Sequence, residues 1–136
     1  MRQRRPRLME RPTHNGKEML HRILPISRDT SNGGMVPGGQ EVDIIVEAQM
    51  PFRGTSLVVD PDSARDFLIS DIKFGTQTIF AASGRIPASA FLPSSESMDD
   101  LIMPTNQTSQ QFTLRVINRS GSARPFYAEL LGWGAQ

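Results

Sequence analysis

Period-two alternation of apolar and polar residues, cut short by turn-forming residues every ten positions or so, constrains this chain more than any other feature. Val42, Ile44 and Val46 alternate with Asp43, Ile45 and Glu47, and Phe112, Leu114 and Val116 alternate with Gln111, Thr113 and Arg115. Successive side chains of a strand point to opposite faces, so each stretch has one face for a core and one for water. Thr55–Val59 is a further short apolar run, closed by the turn cluster Asp60-Pro61-Asp62-Ser63. In Asp66–Phe74, Leu68, Ser70, Ile72 and Phe74 share one parity while Phe67 and Ile69 take the other; Gly75 breaks the run and Gln77–Ala82 resumes it. Near the end, Asn118–Ser122 has turn composition and Pro125–Trp133 returns as a strand, predicting a hairpin with 111–118. Many short strands, with connections too short for crossover helices, predict an all-β fold, an antiparallel β-sandwich or a barrel. Pro87–Thr108 is the exception, an excursion in which Ser94–Asp100 reads as a helical turn behind a serine cap.

Charge divides the chain where the pattern does. Through Arg28 there are eight basic residues against two acidic ones, a net of +6; the remainder has seven against twelve, a net of −5. Within the basic part, Met19, Leu20, Ile23 and Leu24 fall at i, i+1, i+4 and i+5, the spacing of a short helix stopped by Pro25. Four glycines and a proline between Asp29 and Gln40 raise backbone entropy and mark a linker. The expected organisation is a basic N-terminal arm over 1–28, a Gly-rich linker over 29–40 and a β-sandwich domain over 41–136. If Ile23, Leu24 and Ile26 join the sheet, the arm is structural.

The supply of reactive groups is poor. With no cysteine in its 136 residues, the chain has no thiol nucleophile, disulfide framework or Cys-ligated metal site. His14 and His21 are seven apart, which does not make a same-face metal pair, and neither lies in the body where a serine would need a base. No Gly-x-Ser-x-Gly elbow occurs. Asp60, Asp62 and Asp66 lack the ligand order of a calcium loop, Asp99-Asp100 reads as solvated surface, and Gly33, Gly34, Gly38 and Gly39 lack the Lys-Ser/Thr ending of a phosphate loop. Asn106-Gln107-Thr108 and Asn118-Arg119-Ser120 match the glycosylation acceptor pattern and read as exposed turns. The expectation is a protein that is not an enzyme, with no cofactor and no metal. No run approaches the ~18 apolar residues of a membrane span, and no signal-type apolar segment follows the basic start, so no membrane partner is expected.

Two features point to contact instead of chemistry. Arg2, Arg4, Arg5, Arg7 and Arg11 form a guanidinium-rich segment without interleaved aromatics. Arginine forks pair with phosphate oxygens or with carboxylates, so these five residues suit either non-specific nucleic acid or an acidic neighbouring subunit. Trp133, in the last strand, is either a core residue or an interface anchor.

Asp66-Phe67-Leu68-Ile69-Ser70-Asp71-Ile72-Lys73-Phe74-Gly75, Ile86-Pro87-Ala88-Ser89-Ala90-Phe91, Val116-Ile117-Asn118-Arg119-Ser120 and Phe126-Tyr127-Ala128-Glu129-Leu130-Leu131-Gly132, set behind an Arg-rich arm, resemble small virion structural proteins of the jelly-roll type, including phage-associated β-sandwich proteins. The resemblance runs from about Gln40 to the end. It implies a capsid, vertex or decoration subunit of a virion that forms homo-oligomers or joins other virion subunits. No residue role comes with it. The alternative reading is a nucleic-acid-binding β-barrel module that uses the Arg-rich arm.

Overall fold

A computed structural model describes residues 13, 14, 16–92, 105, 106 and 111–135. In chain order the strands are β1 (Thr13–His14), β2 (Lys17–Arg28), β3 (Glu41–Glu47), β4 (Phe52–Val59), β5 (Phe67–Phe74), β6 (Gln77–Thr78), β7 (Ile86–Pro87), β8 (Thr105–Asn106), β9 (Gln111–Asn118) and β10 (Phe126–Ala135). A six-residue helix, α1 (Pro61–Asp66), precedes β5, and a 3-10 turn (Ala88–Phe91) follows β7. One sheet has the order β1-β2-β10-β4-β8 and the other β3-β9-β5-β6, with β7 also on β5; every pairing is antiparallel.

These orders follow from one nested arrangement. The outgoing strands β2, β3, β4 and β5 pair with β10, β9, β8 and β6, so the chain runs out and returns upon itself. The pairings β10·β4 and β9·β5 then stitch the nested pairs into two sheets, which is the order of a jelly-roll sandwich. The all-β sandwich expected from the alternation is the fold observed.

Several local expectations are corrected. Residues 17–24 are strand, not helix: β2 pairs with β10 over ten residues, from Arg28↔Phe126 to Met19↔Ala135. A spacing of i, i+1, i+4, i+5 is also two strand faces superimposed, with Leu20 and Leu24 on one and Met19 and Ile23 on the other. The sandwich therefore takes in residues assigned to the arm, and the long strand that pairs with β10 comes from N-terminal to the expected linker. The Gly-rich stretch is the crossover between sheets. Gly33 and Gly34 adopt φ of 82° and 85°, a region that favours glycine. Beyond them Val36 is fully buried and exchanges two backbone hydrogen bonds with Arg124 (2.9 and 3.0 Å).

The expected C-terminal hairpin is absent as well, because β9 and β10 belong to different sheets. Asn118, read as an exposed turn residue, is fully buried. Its Nδ2 donates to Val36 O and Ser122 O (both 2.9 Å), and its Oδ1 accepts from Ser120 N (2.9 Å). A satisfied buried amide thus ties the β2–β3 connection to the β9–β10 connection. The Asp60–Ser63 cluster starts α1: Asp60 Oδ2 accepts from Asp62 N at 3.1 Å and Pro61 occupies the first turn. The expected helical turn over Ser94–Asp100 lies outside the described residues.

Between the sheets lie Ile26, Leu57, Val59, Phe126 and Leu130 from one side and Ile44, Phe67, Ile69, Ile72, Phe74, Phe112, Leu114 and Val116 from the other. Phe67 meets Phe126 edge-on with centroids 5.0 Å apart, and Phe74 meets Phe112 in the same way at 5.0 Å. A shift in register between Ile69 and Asp71 makes Ser70 the extra residue on β5. That bulge puts Phe67 and Ile69 on the same inner face as Ile72 and Phe74, which is why their parities conflict in the sequence.

Candidate assembly surface

Each sheet has an outer face, and the two differ in chemistry. Residues directly opposite on antiparallel strands share a face. Leu130, opposite Leu24 and Leu57, is fully buried, so Glu129, Leu131 and Trp133 point away from the core, while Ala135, opposite Met19 at the end of the same parity, is buried with it. Three rows follow. Glu129 stands between Pro25 and Val58, Leu131 between Ile23 and Ser56, and Trp133 between His21 and Arg53. Ile23 is 60% exposed, Leu131, Trp133 and Val58 are half-buried, and Pro25 is exposed. A second apolar surface therefore lies on the back of a sheet whose front is the core.

Trp133 is thus on the outer face, and its ring stacks on His21 with centroids 3.9 Å apart and 30° between the planes. The neighbouring backbone explains how the strands approach here. A Cβ on Gly132 would collide with Arg53 O and lie 2.8 Å from Gly54 Cα, so only glycine lets β10 and β4 close at this point. Thr55 is the extra residue of the adjoining irregularity, where the register shifts between Leu131 and Gly132, and its Oγ1 donates to Leu131 O at 3.3 Å.

The outer face of the β3-β9-β5 sheet is charged. Glu41, Asp43 and Asp71 surround Arg115, Lys73 stands beside Asp71, and Glu47 lies further along β3. Arg115 Nε donates to Asp43 Oδ1 at 2.7 Å, and this bond, with the attraction of Asp43 and then of Glu41 and Asp71, raises the guanidinium pKa further. Ser70 Oγ donates to Glu41 Oε2 at 2.7 Å, and Thr78 Oγ1 donates to Asp71 Oδ1. An open polar hollow of about 340 Å³ lies over Glu41, Ser70, Asp71, Thr78 and Arg115. Ile45 is 52% exposed on this face but stands between Asp43 and Glu47 along its strand.

At the end of β2, Tyr127 Oη donates to Asp29 Oδ2 at 2.8 Å. That bond, with those from Ser31, holds the Asp29 carboxyl below its usual pKa, and the same bond raises the Tyr127 phenol. The arrangement pins the tight turn after β2 to β10. An apolar cavity of about 350 Å³ lies under Ile79–Ala82 against Ile72, Ile86 and Phe91, with Arg85 at its wall. Among the described residues no group of three or more His, Asp or Glu is placed to hold a metal ion, and no helix is long and apolar enough to cross a membrane.

Arg2, Arg4, Arg5, Arg7 and Arg11 lie outside the described residues. Of the residues singled out for contact, the structure places Trp133, and it brings to it Ile23, Leu131, His21, Arg53 and Glu129, which sequence reasoning did not select. The available signal was that β2 carries apolar residues at both parities, Leu20, Leu24 and Ile26 on one and Met19 and Ile23 on the other. Strand order and surface together define an antiparallel jelly-roll sandwich with one apolar and one charged outer face. No protein-family model, no curated protein and no solved structure matches the chain.

Proposed function

We propose that the chain is a non-enzymatic structural subunit of a virion, a capsid, vertex or decoration protein that self-assembles through its sandwich body and Arg-rich N-terminal segment. The observation that carries this reading is the contiguous apolar outer face of the β2-β10-β4 sheet, with Ile23, Leu131 and Trp133 in adjoining rows. An apolar patch rimmed by polar groups marks a surface that gains by being covered. The charge split supports the same reading: five arginines at the start suit the acidic outer face around Glu41, Asp43 and Glu47 of a neighbouring copy. The resemblance to small jelly-roll virion proteins supplies the context.

Light-scattering mass of the full chain at low and at high salt is the test. A discrete multi-copy species is expected, and a strict monomer insensitive to concentration and salt overturns the reading. The second reading, a nucleic-acid-binding module, is favoured by one observation, four arginines among the first seven residues. It requires retention on DNA or RNA that collapses with added salt and on deletion of residues 1–11. Retention that survives the deletion excludes the role given to those arginines.

A further inference from the structure

We infer that the outer face of the β2-β10-β4 sheet pairs with the same face of a second copy across a two-fold axis. The inference rests on the assembly reading above and names the surface and symmetry it uses. A two-fold interface requires a patch that is complementary to itself. The row Ile23–Leu131–Ser56 is the middle of this patch, flanked on one side by the row holding Glu129 and on the other by the row holding Trp133 and Arg53. An axis crossing the strands at the Leu131 row lays β10 antiparallel over its copy. Glu129 of each copy then faces the Trp133–Arg53 row of the other, so opposite charges meet twice while Ile23, Leu131 and the Trp133 ring fill the centre. Both charges sit beside the apolar rows, where pairing them steers register.

Edge-to-edge pairing is the competing geometry, and β2 resists it. From Met19 onward its only strand partner among the described residues is β10, but Pro25 removes one ladder donor from the strand. β3, the long edge strand of the other sheet, presents Glu41, Asp43 and Glu47, which would meet like charges on a copy of itself.

Absence of cysteine makes the test direct, because any introduced thiol is unique. Ser56→Cys places a thiol in the central row and Thr113→Cys places one on the opposite sheet's outer face. Packed sheets lie roughly 10 Å apart, so a bis-maleimide of about that span bridges two copies of Ser56→Cys and leaves Thr113→Cys uncoupled. In the full chain, Ile23→Glu weakens the pair at least ~10-fold by sedimentation. Arg53→Glu alone weakens it about tenfold, and adding Glu129→Arg restores it. Circular dichroism checks that each variant keeps its strands. An assembled protein in which Ser56→Cys fails to couple, or in which the double exchange does not recover what Arg53→Glu loses, overturns this interface and leaves assembly by other surfaces standing. An unmodified chain that stays monomeric at every concentration overturns the assembly reading itself.

Discussion

The two outer faces of the sandwich are made from the same kind of strand, yet one is a lattice of charge and the other gathers Ile23, Leu131 and Trp133 into adjoining rows. On the β3-β9-β5 face, Asp43 and Arg115 satisfy each other at 2.7 Å, and Ser70 and Thr78 occupy Glu41 and Asp71. On the β2-β10-β4 face, Ile23 is 60% exposed, although β2 also carries Ile26 in the core. A charged face offers a neighbour's arginines a pairing that salt screens, whereas a face of Ile23, Leu131 and Trp133 gains with every square ångström covered. The difference teaches which face would supply most of the energy if the chain assembles as proposed: that of the sheet built partly from the segment that composition assigns to a basic arm.

The largest expected effect belongs to the inner faces, against which both outer faces are measured. Phe112→Ala removes a fully buried ring packed on Phe74 and costs ~3–5 kcal/mol in urea denaturation, while Leu131→Ala costs under about half of that and instead weakens association. A Leu131→Ala loss equal to that of Phe112→Ala would place Leu131 in the core and break the comparison. Asn118→Ala leaves Val36 O and Ser122 O without their side-chain donor and costs about 1–3 kcal/mol by the same measurement. Gly132→Ala forces β10 away from β4 beneath the apolar face and costs roughly 1–3 kcal/mol, whereas Gly84→Ala, with nothing within 4 Å of the added methyl, is near neutral. On the charged face, Asp43→Ala costs under ~1 kcal/mol, because the Asp43–Arg115 pair is partly solvated. A larger loss there would mean that the charged lattice, too, holds the fold together.

The smallest effect is a pH dependence of the turn after β2. The Asp29 carboxyl is held below its reference of 3.8, so its contribution is present above that pH and is lost as pH falls through the lowered value. The Tyr127 phenol is raised above its reference of 10.0, so its contribution is complete below pH 10 and is lost as pH rises through the raised value. Protection of the Ser31, Asn32 and Gly34 amides, the exchange rate measured against the intrinsic rate at each pH, is therefore greatest between these limits, and Tyr127→Phe removes the alkaline arm of the profile. Both groups lie at the surface, Tyr127 41% exposed and Asp29 half-buried, so global stability changes little.

How legible these features were depended on how many faces a strand buries. β3 and β9 each have one dry and one wet face, and their alternation marks them in the sequence. β2 has apolar residues on both, so its pattern coincides with a helical one and its pairing with β10 depends on residues at the other end of the chain. Alternation in β5 is interrupted by the Ser70 bulge, which no local composition announces. The hairpin reading of β9 and β10 fails because a turn-rich connection looks the same whether it stays in one sheet or crosses to another; the buried Asn118 amide decides it here. At the surface, Trp133 stands out as the single tryptophan, while Ile23, Arg53 and Glu129 become neighbours only through strand order.

Because Trp133 is the sole indole, its fluorescence reports on the apolar face directly. As the full chain is concentrated through the proposed assembly transition, Trp133 emission should shift to the blue and acrylamide quenching should fall in step with the rise in mass. Mass that rises while Trp133 emission and quenching stay unchanged would show that the copies meet elsewhere and that this face remains in water.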